Sequence, residues 1–113
     1  FDTPDGGVVA VNAAALADHL DAGRAAFVPL LPDVLTDPFE VWLSFERHKG
    51  TGKVELRKRL VKVVEVGDEK RAMIAVAQVV EGRLETWTFV PTSKLGYLRS
   101  QRRGKLLFGR PVT

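Results

Sequence analysis

Glu40 and His48 stand eight positions apart, the histidine inside a run of cations, in a chain with only two histidines. A carboxylate and an imidazole can take and return a proton, while guanidinium and ammonium groups can neutralise charge growing on a phosphate. Those parts suffice for a ribose 2′-hydroxyl to attack its own neighbouring phosphodiester without a metal. Glu40 and His48 are therefore candidates for the proton transfers. Lys53, Arg57, Arg59, Arg99, Arg102, Arg103 and Lys105 are candidates for holding phosphate. Trp42, Trp87 and Tyr97 can stack on bases, since every base offers a π-face. Against these stand plainer readings: an exposed strand glutamate, a loop histidine, solvated cations and core aromatics.

Other chemistries find little support. With no cysteine in 113 residues there are no disulfides or thiolate metal sites. His19 and His48 lie 29 positions apart with no acidic ligand cluster beside them, so no metal and no cofactor is expected. "KGTGK" lacks the spacing of a phosphate-binding Walker loop, and no GxGxxG run occurs. Neither Ser44 nor Ser93 sits in a nucleophile elbow. No apolar run is long enough to span a bilayer.

The net charge of +3 hides a segregation along the chain. Residues 1–46 hold eight acids and one base, whereas residues 47–62 hold seven bases and one acid. Residues 63–93 are nearly balanced, and residues 94–113 carry six bases and no acid. Two basic blocks thus flank a central apolar stretch, and if they meet in space they form a polyanion-binding surface. The acidic N-terminal part would screen that surface within the domain or simply solvate its own helix.

The elements that must position these residues follow from pattern. "NAAALADHLDAG" predicts a helix over 12–23 with Asn12 as cap, Leu16 and Leu20 on its buried stripe and Gly23 at its end. His19 is expected on that helix, partly exposed. Pro29, Pro32 and Pro38 allow only a short helical turn at "PDVLTD". After Pro38 the period becomes two: Phe39, Val41, Leu43 and Phe45 should form an apolar layer, with Glu40, Trp42, Ser44 and Glu46 facing away. "VELRKRLVKVVEV" predicts a second strand whose phase slips, by a bulge near Arg59 or by cover on both faces. "RAMIAVAQVV" predicts a central strand, and "LETWTFV" a fourth with Thr86 and Thr88 on one face, ended by Pro91. Ser93 should cap a short basic helix closing at Gly104, and "KLLFG" should add an edge strand. Short turns favour an antiparallel meander. The expected fold class is α+β: one domain over 1–113, an N-terminal helix packed on a four- to five-stranded antiparallel sheet, with a short basic C-terminal helix and strand.

"LPDVLTDPFEVWLSFE", "RAMIAVAQVVEGRLETWTFVPT" and "YLRSQRRGKLLFG", in this order, resemble a phage-associated class of the barnase–EndoU–colicin–RelE-like nuclease superfamily over residues 29–109. The resemblance rests on the DPxEVW element at Asp37–Trp42, the TWTFVPT strand end and the RxGKLL close at Arg102–Leu107. It implies a helical part followed by an antiparallel sheet, and metal-independent ribonuclease action, often on tRNA. It also implies a toxin or phage effector module restrained by an immunity protein and acting in the cytoplasm of a target or host bacterium. Matching positions are Glu40 and Trp42, Thr88 near the end of the fourth strand, and Arg102 before Gly104. On these readings the catalytic candidates are Glu40, His48, Thr88 and Arg102.

The expected partners are RNA and an acidic inhibitor protein, with no membrane, for a monomeric domain. An opening Phe1 rather than Met suggests a module of a larger, phage-associated or secreted protein. Two other functions fit parts of the pattern. One is a nucleic-acid-binding module of a phage head or toxin protein that cuts nothing, which would bind with a steep salt dependence. The other is an ADP-ribosyltransferase toxin, whose usual Ser-Thr-Ser and Glu-x-Glu elements are not evident.

Overall fold

Short turns between β-branched segments leave antiparallel pairing as the open route, and the computed structural model takes it. Described are all residues except 13, 15, 17, 19, 21–23, 25, 48, 49, 67, 68, 81, 82 and 110–113; of 66, 69, 80, 87 and 95 only the backbone is described. β1 (Glu40–Arg47), β2 (Val54–Val66), β3 (Glu69–Val80), β4 (Arg83–Thr92) and β5 (Lys105–Gly109) form one sheet in the order β4-β3-β2-β1-β5. Every neighbouring pair is antiparallel. A 3-10 turn at Val28–Leu30 leads into α1 (Leu31–Thr36), and α2 (Leu95–Gln101) joins β4 to β5. Pro32 lies in the first turn of α1, where a missing amide proton breaks no helical bond. Of the helix expected over 12–23, Ala14, Leu16 and Asp18 are helical and the Leu16 amide donates to the Asn12 carbonyl at 2.9 Å. His19 and Gly23 lie outside the described residues.

Register sorts the side chains onto two faces. Val41, Leu60, Met73, Ala75, Ala77 and Phe89 share a core with Leu31, Val34 and Leu35 of α1 and with Val9 and Leu16. On the other face Val61, Ala72, Ile74 and Val76 pack against Leu98 of α2, with Trp42 at the side. This resolves the phase slip of β2. Its pairings with β1 and β3 run without a break, so there is no bulge near Arg59; both faces of its second half are covered.

Four further expectations are corrected. The irregularities fall at Val41/Trp42 between β1 and β5 and at Val76/Ala77 between β3 and β4. The second sets Thr86 opposite Ala77 and Thr88 opposite Val76, so the two threonines take opposite faces. Pro91 lies inside β4, opposite Met73, because β4 is an edge strand there and a missing amide proton costs no ladder bond. Lys94, not Ser93, occupies the N-cap position of α2 and makes no side-chain cap bond. Along β1 and the residue before it the burial departs from the expected layer: Phe39 and Phe45 are 42% and 71% exposed, whereas Glu40 and Ser44 are buried.

Gly104 turns the chain from α2 into β5 with φ +88°, and a Cβ there would collide with the Leu43 carbonyl oxygen. At the other end of the chain, Asp2 bridges Val8 and Ala10 bridges Glu85. Lys58 fastens this N-terminal segment to the sheet: its Nζ lies 2.6 Å from Asp5 Oδ2, with both side chains almost fully buried. The Thr3 hydroxyl donates to Asp5 Oδ1 at 2.6 Å. Burial pushes the Asp5 carboxyl up, but the hydrogen bonds and charge of Lys58, with Thr3, outweigh it, and the net pKa falls below its ordinary 3.8.

Breaking this pair from one side strands a buried charge. Lys58→Ala should therefore cost about 3–5 kcal/mol in urea unfolding. The lowered Asp5 pKa adds stability that is complete above the ordinary 3.8 and fades as pH falls through the lower folded-state value. Asp5→Asn should flatten that acid limb. A limb of the same depth in the variant would remove Asp5 as its source.

Candidate functional site

On β1 the side chains of Glu40, Trp42, Ser44 and Glu46 share the face that α2 covers, as alternate residues of one strand. Opposite them on β2 stand Val61, Arg59, Arg57 and Glu55. The end of α2 descends on this row through three consecutive residues, and each takes a different partner. Gln101 Oε1 accepts from Arg59 Nε at 2.8 Å. Arg102 grips Glu40 in a two-pronged pair, Nε to Oε1 at 2.9 Å and Nη2 to Oε2 at 2.8 Å. Arg103 brings Nη1 to 3.6 Å from Glu46 Oε1.

The inner layer is Glu40, Arg102 and Trp42. Glu40 has no exposed surface, and Trp42 Nε1 donates to its Oε1 at 2.8 Å. Both oxygens are engaged out of reach of water, so this carboxylate fixes the end of α2 to the strand. The outer layer keeps contact with solvent. There Glu46 Oε2 lies 2.6 Å from Arg59 Nη1 and 3.0 Å from the Ser44 hydroxyl, which donates to it. Arg59 Nη1 also donates to Ser44 Oγ at 3.0 Å.

The Glu46 side chain is 27% exposed and that of Arg103 is 50%, whereas Arg59 is almost fully buried. The hydrogen bond from Arg59 is the main reason that the Glu46 carboxyl lies below its ordinary value; the Ser44 bond and the charges of Arg59 and Arg103 add to it, against a smaller penalty from burial. Glu46 sits directly opposite Glu55, an arrangement that alone would be repulsive. Each acid has its own guanidinium, since Arg57 Nη2 donates to Glu55 Oε2 at 2.8 Å. Arg57 Nε is buried with no hydrogen-bond partner among the described residues.

The remaining candidates are placed as follows. Thr88 is half-buried, and its register opposite Val76 sets it on the α2 face. Tyr97 and Arg99 are exposed on α2, and Lys53 is exposed just ahead of β2. Lys105 is exposed, but its register opposite Leu43 sets it on the α1 face, away from Glu46. His48 lies outside the described residues. Trp42 stands beside the Leu98 cluster and hydrogen-bonds Glu40. Glu46 and Gln101 were not among the sequence-based candidates. The signal for Glu46 is its parity with Glu40, Trp42 and Ser44, but parity alone does not say which end of a strand stays open to solvent.

The structure also brings the two charge populations together. Asp5, Asp37, Glu40 and Glu46 from the acidic segment pair with Lys58, Lys62, Arg102 and Arg59 from the basic blocks. Among the described residues no three His, Cys, Asp or Glu side chains gather as a metal site.

A carboxylate flanked by guanidinium groups at the open end of a sheet face is equipment for phosphate chemistry. Residues 1–109 match the family described as phage-Barnase-EndoU-ColicinE5/D-RelE like nuclease2. The chain belongs to that nuclease family. The match begins at residue 1, so it takes in the N-terminal segment that the sequence resemblance over 29–109 leaves out. No curated protein and no solved structure matches the chain. Among the described residues no helix is long and apolar enough to cross a membrane.

Within this nuclease-family domain the inner pair can be tested by stability. Glu40→Ala leaves Arg102, whose side chain is only 13% exposed, without its carboxylate and should cost about 3–5 kcal/mol in urea unfolding. Replacing both, as Glu40→Leu with Arg102→Met, should recover much of that loss. A double variant no more stable than Glu40→Ala would show that stranded charge is not the cause.

Proposed function

We propose that this nuclease-family domain is a metal-independent endoribonuclease, with Glu46 as the base that opens the reaction. One observation carries the reading: Glu46 is a carboxylate held ionised by Arg59, still reachable by solvent, with Arg103 at its rim. Glu46 would take the proton of a ribose 2′-hydroxyl as O2′ bonds to phosphorus. The bond from phosphorus to O5′ then breaks, leaving a 2′,3′-cyclic phosphate and a 5′-hydroxyl. We assign the proton for O5′ to His48 on its chemistry alone. Arg103, with Arg57 of β2, would neutralise the charge on the non-bridging oxygens. Glu40 and Arg102 then act through position, by fixing where Arg103 and Gln101 stand.

In this reading the domain is a toxin or phage effector acting on RNA, tRNA among the substrates, in the cytoplasm of a target or host bacterium. An acidic inhibitor protein would compete for the cations that remain exposed around Arg103, Arg99 and Lys53.

The test is cleavage of total RNA and tRNA in EDTA, with end-group analysis. Cyclic phosphate ends are expected. Glu46→Gln should lower kcat by about 10²–10⁴ in the folded protein, and it should also lower the melting temperature, because the almost fully buried Arg59 loses its countercharge. Because Glu46 must be ionised to act, the acid limb of kcat should set in only as pH drops below the ordinary 4.5 through its lowered value, and an alkaline limb should follow loss of the proton destined for O5′. Tight, salt-dependent RNA binding with no cleavage would instead favour a binding module that cuts nothing.

A further inference from the structure

The α2 face holds a second feature, at the end away from Glu46. A cavity of about 410 Å³ opens between the first turn of α2 and the far ends of β2 and β3. That volume falls within the ~300–1,000 Å³ usual for small-molecule sites. Its floor is apolar, from Val63, Ala72 and Leu98. Val63 faces Ala72 and Ala72 faces Thr92 in the register, so these residues share the α2 face with Val61 and Ile74. The walls offer the hydroxyls of Thr92 and Ser93 and the Glu65 carboxylate, and two cations, Lys70 and Lys94, line it as well. The Lys94 amide donates to Thr92 Oγ1 at 3.1 Å, which fixes the chain beside the opening.

We propose that this cavity is a nucleotide subsite. A nucleobase needs an apolar surface for its ring and both donors and acceptors for its edge, and the phosphate beside it needs a cation. Val63, Ala72 and Leu98 supply the surface, Glu65 and the two hydroxyls the edge contacts, and Lys94 the charge. The route from here to Glu46 runs the length of the sheet face: Val63 and Glu55, which faces Glu46, are eight residues apart on β2, about 26 Å at about 3.3 Å per residue. α2 has seven residues and, at about 1.5 Å per residue, covers about 10 Å of that span. Its exposed side carries Tyr97 and Arg99, followed by Arg103. A strand of RNA lying along α2 would thus have one base in the cavity while a phosphate some nucleotides away meets Arg103 and Glu46. The site selects which RNA is presented for cleavage. That role rests on the ribonuclease reading, whereas binding in the cavity does not.

The experiment follows backbone amide shifts of the intact domain during titration with the four nucleoside 5′-monophosphates. Short 2′-O-methyl oligoribonucleotides, which cannot be cleaved by 2′-hydroxyl attack, form a second arm, and decanoate a third. Saturable shifts at Val63, Ala72 and Thr92 to Lys94 are expected with at least one monophosphate and with oligonucleotides containing that base. Lys94→Glu should weaken both by about tenfold, and Val63→Phe, which fills the floor, should abolish them, each with an unchanged melting temperature. On cleavable RNA, Lys94→Glu should raise KM and leave kcat near the wild-type value. No shifts at these amides, shifts with decanoate alone, or shifts with monophosphates but not oligonucleotides would each overturn the proposal. Cavity binding by a domain that cleaves no RNA would leave the subsite standing and sink the ribonuclease reading instead.

Discussion

The arrangement of this sheet face depends on one buried contact, the two-pronged pair between Glu40 and Arg102. Removing a carboxylate wholly from water is costly, and Glu40 has no exposed surface. What offsets that cost is geometry. The planar guanidinium meets both oxygens at 2.8–2.9 Å, and Trp42 Nε1 adds a third bond. A lysine could not make the same contact, because a single ammonium cannot address both oxygens in plane. The two residues are 62 positions apart, so the pair also ties the C-terminal helix to the first strand. Its neighbours in sequence inherit their positions from it. Gln101 reaches Arg59 and Arg103 approaches Glu46 because Arg102 between them is fixed.

Charge is organised in the same way throughout the described residues. Read along the chain, acids and bases are separated into blocks; read in space, four acids of the N-terminal segment each meet a base from one of the basic blocks. The basic surface is therefore much smaller than the sequence suggests. It reduces to cations whose side chains stay in water, among them Lys53, Lys94, Arg99 and half of Arg103. The depth of each pair sorts it by role. Pairs closed off from solvent hold elements together, as Lys58 and Asp5 hold the N-terminal segment. Pairs that keep some exposure include Lys62 with Asp37 and Glu46 with Arg59 and Arg103, and of these only the Glu46 group lies on the α2 face among several guanidinium groups.

Cover on the sheet decides where that opening falls. α1 and the N-terminal segment close one face, and α2 lies across the other through Leu98. Beyond Leu98 toward the β1–β2 turn the face is left to polar groups, which is where Glu46, Arg57 and Arg59 stand. In the other direction, past the first turn of α2, an apolar-floored cavity remains. The helix thus divides one sheet face into two openings of different chemical lining, with Arg99 exposed on the helix between them.

Much of this was legible from residue order. Alternation after Pro38, the β-branched second strand and the apolar third established an antiparallel sheet. Pro29, Pro32 and Pro38 together limited α1 to a short helix, and Gly104 marked the return from α2 into the edge strand. Those are local rules, written in backbone sterics and in the period of a strand, and they need no knowledge of distant partners. What needed the tertiary structure was every question of depth. Glu40 and Glu46 have the same parity on the same strand, yet one is sealed and the other open, because α2 ends over the first. Thr86 and Thr88 part company because one residue too many is fitted against β3. The sequence by itself determined the elements and the kinds of groups available. Which carboxylate and which guanidinium meet water was decided only by packing, since burial depends on what lies across the sheet and not on what lies beside a residue in the chain.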